Sequence, residues 1–124
     1  MPLVSLAEEG NVLHVYDFKV KPGCGDEFIA AFNEFDYSDD NLMHHSAAQV
    51  KDGVLCRDTT DPDRFFLIGE WRSVEEHRKV LQEVSARSKP RFFSLLAGEK
   101  WLPPVYATVV SSTPAEYLAK VNKA

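Results

Sequence analysis

From Val12 to Val20 the chain alternates, with Val12, His14, Tyr16, Phe18 and Val20 on one face and Leu13, Val15, Asp17 and Lys19 on the other. A period of two marks a strand, and the first of these faces is strongly aromatic. Lys21-Pro22-Gly23 breaks the pattern. Beyond the break, Phe28, Ile29, Phe32 and Phe35 recur at helical spacing, with Gly25 or Asp26 as the cap, which predicts a helix running into residues 37–41. Asp36, Asp39 and Asp40 oppose the helix dipole there and predict fraying or termination. Residues 47–58 return to strand spacing, with Lys51-Asp52-Gly53 as a turn or bulge. After a turn-rich loop at 59–63, a further strand at 64–72 sets Phe65, Leu67 and Trp71 against Phe66, Ile68 and Glu70. So short a loop predicts an antiparallel hairpin.

Ser73-Val74-Glu75-Glu76 has the spacing of a capping box and starts a helix with Val74, His77, Leu81 and Val84 along one side. A short helical turn at 90–97 closes on Gly98, and Leu102-Pro103-Pro104 leads into a last strand at 105–110. Thr113-Pro114-Ala115-Glu116 repeats the capping logic and opens a terminal helix displaying Tyr117, Leu118 and Val121. The order is β-α-β-β-α-β with an extra C-terminal helix. It predicts an α+β, ferredoxin-like domain with an antiparallel sheet, a core at about 12–110 and a helical extension at 111–124. Two helices cover one sheet face. The other carries Leu13, Val15, Phe66 and Ile68, and a homodimer packed sheet against sheet would bury it. Pairing through Tyr117, Leu118 and Val121 is a separate route to assembly.

Composition narrows the partners. The 124 residues are 44% hydrophobic and 27% charged, the balance of a folded globular chain. A net charge of -5, with Lys and Arg scattered, argues against nucleic acid. No apolar run approaches the ~20 residues that span a bilayer, so no membrane segment is predicted. Cys24 and Cys56 lie outside any CxxC pair, and no leader pattern precedes Glu8, which together suggest a reduced, cytoplasmic protein. Cys24, just ahead of the first helix, is read as inert.

The stretches KPGCGDEFIAAF and RDTTDPDRFFLIGEWRSVEEH resemble the antibiotic biosynthesis monooxygenase family, a group of dimeric α+β barrels. The resemblance spans about residues 12–110 and rests on Pro22-Gly23, Phe28, Arg57-Asp58 ahead of Asp61-Pro62, and Glu70-Trp71 followed by Ser73. It implies a ligand cleft between helices and sheet, a homodimer, and oxygenation of a small quinol or polyketide-like aromatic without a cofactor. The positions that serve haem-degrading members fall at Tyr16, Val80 and Pro90, so the resemblance does not carry haem across. The histidines of quinol-type members fall at Val80 and near Ser85.

Oxygenation without a cofactor requires an ionised, electron-rich phenol, hence an aromatic pocket, a base and a donor for the anion. His14 and His77 are the candidate bases, with ordinary pKa values near ~6.5. Tyr16 is the candidate donor, and Phe18, Phe32 and Trp71 are the candidate walls. The alternative is a non-catalytic small-molecule-binding or stress-associated dimer, with His77 facing water at a helix margin, His14 a satisfied strand histidine and the aromatics plain core. His44-His45 invites a metal, but adjacent residues rarely converge on one ion and no third ligand is suitably spaced, so no metal site is predicted. Asp36, Asp39 and Asp40 lack the glycine and terminal glutamate of an EF-hand and are read as a solvated loop. Arg57, Asp58, Asp61 and Arg64 are read as exposed hairpin ion pairs contributing ~0–1 kcal/mol each.

Overall fold

In the computed structural model, which describes residues 2–88, 90–98 and 103–123, the elements follow the predicted order. They are β1 (Val12–Lys19), α1 (Gly25–Asp36), β2 (Gln49–Arg57), β3 (Arg64–Trp71), α2 (Val74–Glu83), β4 (Val105–Thr108) and α3 (Ala115–Lys123). Short 3-10 turns at Leu42–His45 and Arg91–Leu95 and a wider helical turn at Val84–Ser88 complete the set. The sheet order is β2-β3-β1-β4, with every neighbouring pair antiparallel, which is the α+β, ferredoxin-like arrangement.

The β1–β3 register pairs Val12 with Trp71, His14 with Gly69, Tyr16 with Leu67 and Phe18 with Phe65. Because side chains alternate across a strand, all eight belong to one sheet face. α1 lays Phe28, Ala31 and Phe32 on that face, and the turn at Arg91–Leu95 adds Phe92. The Phe92 ring meets those of Phe18, Phe28, Phe32, Phe35 and Phe93 at centroid distances from 4.9 to 6.2 Å, all tilted or edge-on. Such pairs add about 0.5–1.5 kcal/mol each beyond the area they bury. The end of the sheet at Phe18 and Phe65 is therefore solid aromatic core, and the polar groups gather at the other end.

Several boundaries differ from the sequence reading for local reasons. The N-cap of α1 is Cys24, without a side-chain cap bond, and not Gly25 or Asp26; the helix opens with the Phe28 amide donating to the Cys24 carbonyl at 2.8 Å. α1 stops at Asp36, short of 37–41, where the Ser38 hydroxyl donates to the Phe35 carbonyl at 2.8 Å. Ser73 Oγ does accept from the Glu76 amide at 3.3 Å, while the return bond from the Glu76 carboxylate is not made among the described residues. The seam of α2 reaches Val84 only by widening at the helix end. The turn predicted at 90–97 is the 3-10 piece, but it ends at Leu95 with an extended Leu96 as its C-cap, and Gly98, at φ 82°, lies beyond it and does not close it. β2 shifts register on either side of Lys51, the bulge foreseen at Lys51-Asp52-Gly53. β4 is shorter than 105–110, yet Val109 continues its line by exchanging backbone bonds with Gly10 and Asn11 at 2.9 Å. Leu102 lies outside the described residues.

The outer sheet face is apolar: Leu13, Val15, Phe66 and Ile68 are half-buried, and Val54 and Val105 are 58% and 64% exposed. The N-terminal segment covers one end of it. There Glu70 Oε2 accepts from the Glu8 amide and from Asn11 Nδ2, both at 2.8 Å, and Lys51 Nζ donates to the Leu6 carbonyl at 3.0 Å. On α3, Tyr117 and Val121 face solvent, and Asn122 clasps Leu3, accepting from its amide at 2.6 Å and donating to its carbonyl at 2.9 Å.

Gly69 determines whether His14 fits. A Cβ at position 69 would lie 2.6 Å from His14 Nε2, closer than real contacts allow, and 3.2 Å from the Gly53 Cα, a tight contact. Gly69→Ala is expected to lower the unfolding free energy by about 1–3 kcal/mol through overpacking. Urea melts measure the loss, and adding His14→Ala in the same chain should recover most of it.

Candidate active site

β1 carries His14 and Tyr16 on the helix side of the sheet, β3 ends there on Trp71, and the Ser73 cap starts α2 so that His77 turns inward one helical turn later. His77 is wholly buried, which corrects the alternative that it faces water at a helix margin. Its ring stacks on His14 at 4.5 Å and 28°, and stands edge-on to Trp71 at 4.8 Å and 89°. The Tyr16 hydroxyl lies 3.4 Å from His77 Nε2, and the Tyr106 hydroxyl 2.7 Å from His77 Nδ1. His77 is thus held at both ring nitrogens by phenols from the two strands β1 and β4. By contrast, His14 Nδ1 and Trp71 Nε1 are buried without a hydrogen-bond partner among the described residues. Unmet buried groups of this kind cost about 1–3 kcal/mol each and call for an explanation.

Burial governs the charges. It holds the His77 imidazole down to about 4 and that of His14 down to about 3, the neighbouring His77 adding to the second effect. Both rings are neutral at pH 7. Burial also pushes the Tyr16 phenol well above its usual range, with the nearby Tyr106 adding to the rise, so Tyr16 stays a proton donor. Tyr106 is raised by burial as well, with Arg78, whose guanidinium stands 5.2 Å over its ring, pulling the other way.

A cavity of about 50 Å³ opens beside these groups. Its walls are His14, Tyr16, Phe32, Phe35, Leu67 and Phe92, and Asp36, Asn41 and Asp52 stand among the polar groups around it. Of the six residues singled out from sequence, His14, Tyr16 and Phe32 therefore line it. Trp71 and His77 sit behind His14, and Phe18 packs into the core against Phe28 and Phe92. Phe92, Leu67 and Asp36 were not foreseen: an aromatic in a short turn and a carboxylate in an acidic run give no periodic signal.

Asp36 is half-buried at this cavity and not part of a solvated loop. Burial, followed by the charge of Asp52, raises its carboxyl above the usual range. His44 Nε2 lies 2.9 Å from Asp52 Oδ1 and 3.5 Å from Asp36 Oδ1, so the fold supplies the partners that sequence spacing did not. One ligating atom from each of the three lies within 4.8 Å of the others, and Asn41 Nδ2 donates to Asp36 at 3.2 Å. The donor set of two carboxylates and an imidazole suits a divalent ion, and as it stands His44 bridges the end of α1 and β2. The hairpin charges do form exposed pairs, Arg57 with Asp26 at 3.1 Å and Arg64 with Asp17 at 2.9 Å, away from the cavity.

An imidazole and a phenol on the first strand, facing an aromatic chamber under the helices of a ferredoxin-like sheet, define a small α+β fold with one candidate cleft. Residues 11–86 match the family model described as antibiotic biosynthesis monooxygenase, and the chain belongs to that family. No curated protein sequence matches it. Among solved structures it is similar to a dimeric ferredoxin-like protein from an uncultured marine organism, at 18% identity and TM-score 0.61, covering 86% of this chain and 93% of that one. It is also similar to SnoaB, a cofactor-independent oxygenase from Streptomyces nogalater, at 15% identity and TM-score 0.57, covering 86% and 97%. A conserved protein from Methanosarcina mazei gives 12% identity and TM-score 0.56, covering 78% and 88%. At these identities the likeness establishes the fold. No helix among the described residues is long and apolar enough to cross a membrane.

The depressed histidines make stability depend on pH. In the unfolded chain they protonate near 6.5, and in the fold only near 4 and 3, so the unfolded state binds more protons in between. Their contribution is complete above pH 6.5 and is lost as pH falls through that window, by up to about 1.4 kcal/mol per unit for each. Urea midpoints at pH 7 and pH 5 should differ accordingly, and His77→Gln should reduce the slope by close to one proton.

Proposed function

We propose that the protein is a cytoplasmic, homodimeric monooxygenase that oxidises a small electron-rich aromatic, quinol or polyketide-like, without flavin, haem or metal. The observation that carries this reading is the pairing of a neutral His14, with an unmet ring nitrogen, and a protonated Tyr16 in the wall of one aromatic cavity. A substrate hydroxyl between them would be oriented and polarised by His14, and the Tyr16 O–H would donate to its oxygen as negative charge builds there. The electron-rich anion then reacts with dioxygen: one oxygen atom enters the ring, which loses two hydrogens, and the other leaves as water. Family membership and the fold shared with SnoaB support the reading. Free Cys24 and Cys56 suit a reducing compartment.

At about 50 Å³ the cavity is smaller than the ~150 Å³ void that holds benzene, so a substrate ring enters only as a wall parts. Asn41 and Met43, which belong to neither the sheet nor a long helix, form the part of the wall best placed to move. The small volume favours the competing reading, a dimeric domain that binds a ligand without turning it over. Oxygen uptake decides between them. Purified protein treated with chelator should consume oxygen with a naphthohydroquinone above the uncatalysed rate, and His14→Ala should lower kcat by about 100-fold or more. Binding without uptake would leave the non-catalytic reading.

The exposed apolar strip of Val54, Val105 and their neighbours supports the homodimer, as does the dimeric ferredoxin-like relative. Light scattering is expected to give roughly 28 kDa, twice the 14.0 kDa chain. Ile68→Glu, which puts a charge on that strip, should return it to the single-chain mass.

A further inference from the structure

An ionisation next to His14 leaves a proton with nowhere to stay. The cavity has room for little water, and neither imidazole holds a charge at neutral pH. Tyr16, which lines the cavity, stands at one end of a chain of polar atoms; His77 is its wholly buried middle, and Tyr106 is its half-buried outer end. The spacings are 3.4 Å from Tyr16 Oη to His77 Nε2 and 2.7 Å from His77 Nδ1 to Tyr106 Oη. Tyr106 does not line the cavity. It opens instead on a separate surface groove shared with Arg78, Gln82 and Ser85.

We propose that Tyr16, His77 and Tyr106 form a proton relay from the closed cavity to the outer groove between α2 and β4, with Tyr106 as its outlet. The proposal rests on the oxygenase reading for its source of protons. With the imidazole hydrogen on Nδ1, the three donors point outward. The substrate proton passes to Tyr16 Oη as the Tyr16 proton moves to His77 Nε2, the Nδ1 proton moves to Tyr106 Oη, and the Tyr106 proton leaves to water. One proton enters, one leaves, and His77 ends neutral with its hydrogen on Nε2. The net oxygenation releases water and no protons. The proton needed when the peroxide O–O bond breaks returns inward along the same three groups and restores the first tautomer.

The chain explains features that plain core packing does not. A fully buried neutral imidazole needs a partner at each ring nitrogen, and packing alone does not require that one of the two phenols line a cavity and the other open on a surface groove, as they do here. Arg78 over the Tyr106 ring favours passage of a proton away from the outlet and not its storage there. His14, stacked on His77 but outside the chain, is left to orient and polarise the substrate hydroxyl.

The test uses Tyr106→Phe, which keeps the ring under Arg78 and leaves the cavity wall untouched. Two readouts separate the relay from the oxygenase reading. In the first, exchange of the His77 ring N–H with water, followed by nitrogen-15 NMR without substrate, should slow by about tenfold or more at unchanged melting temperature; unchanged exchange overturns the relay. In the second, with a naphthohydroquinone, Tyr106→Phe should lower kcat by about tenfold, leave KM in place and enlarge the solvent deuterium isotope effect. Equal turnover in the two proteins also overturns the relay. Absence of oxygen uptake by the unaltered protein instead sinks the oxygenase reading, and the exchange measurement alone then decides the relay. Tyr16→Phe provides a second variant: it should lose turnover while His77 exchange stays fast, because only the inner end is cut.

Discussion

The pairing of β1 with β3, His14 across from Gly69 and Phe18 across from Phe65, is the constraint on which the other features depend. A slip of one residue would turn the aromatic face outward and bring Asp17 and Lys19 under the helices. The register is held from both ends. At one, Phe18 packs on Phe28 and Phe92, and Phe65 packs on Phe28. At the other, the missing side chain at position 69 leaves the gap that the His14 ring fills. The same strand therefore has an apolar half that packs into the core and a polar half, His14 and Tyr16, that lines the cavity.

That division explains the electrostatics. His14, Tyr16 and His77 lie under α2 and beside Trp71, far enough from water that each is held in its neutral form. Neutral groups can hydrogen-bond a substrate hydroxyl without the cost of a buried charge, but they store protons poorly. Tyr106, 2.7 Å from His77 and lining the outer groove, links these buried groups to the surface. The carboxylates of Asp36 and Asp52 stand at the same cavity, where His44 lies within reach of both and ties the end of α1 to β2.

Glu70 illustrates how the two sheet faces are linked. It neighbours Gly69 and Trp71 in β3 but points to the opposite side, where it is buried and fastens the N-terminal segment through Glu8 and Asn11. The motif Gly69-Glu70-Trp71 thus serves three places at once: room for His14, an anchor for the segment over the outer face, and a wall behind His77. This is why the resemblance to the family was legible in these residues, and why it says more about scaffold than about substrate.

The alternation of residues 12–20, the helical spacing from Phe28 to Phe35 and the Ser73 cap determined the order of elements, the aromatic face and the place of His14 and Tyr16 on it. These signals are local: each depends on residues within two turns or a few strand positions of one another. Long-range placement was decided by tertiary structure alone. The wholly buried His77 between Tyr16 and Tyr106, 29 residues apart from the latter, and the joining of Asp36 and Asp52 at His44 follow from how β4 and the bulged β2 lie against the central strands. The size of the cavity belongs to the same class, because it is the small remainder left after aromatic rings from four separate segments have packed, and no periodicity along the chain records it.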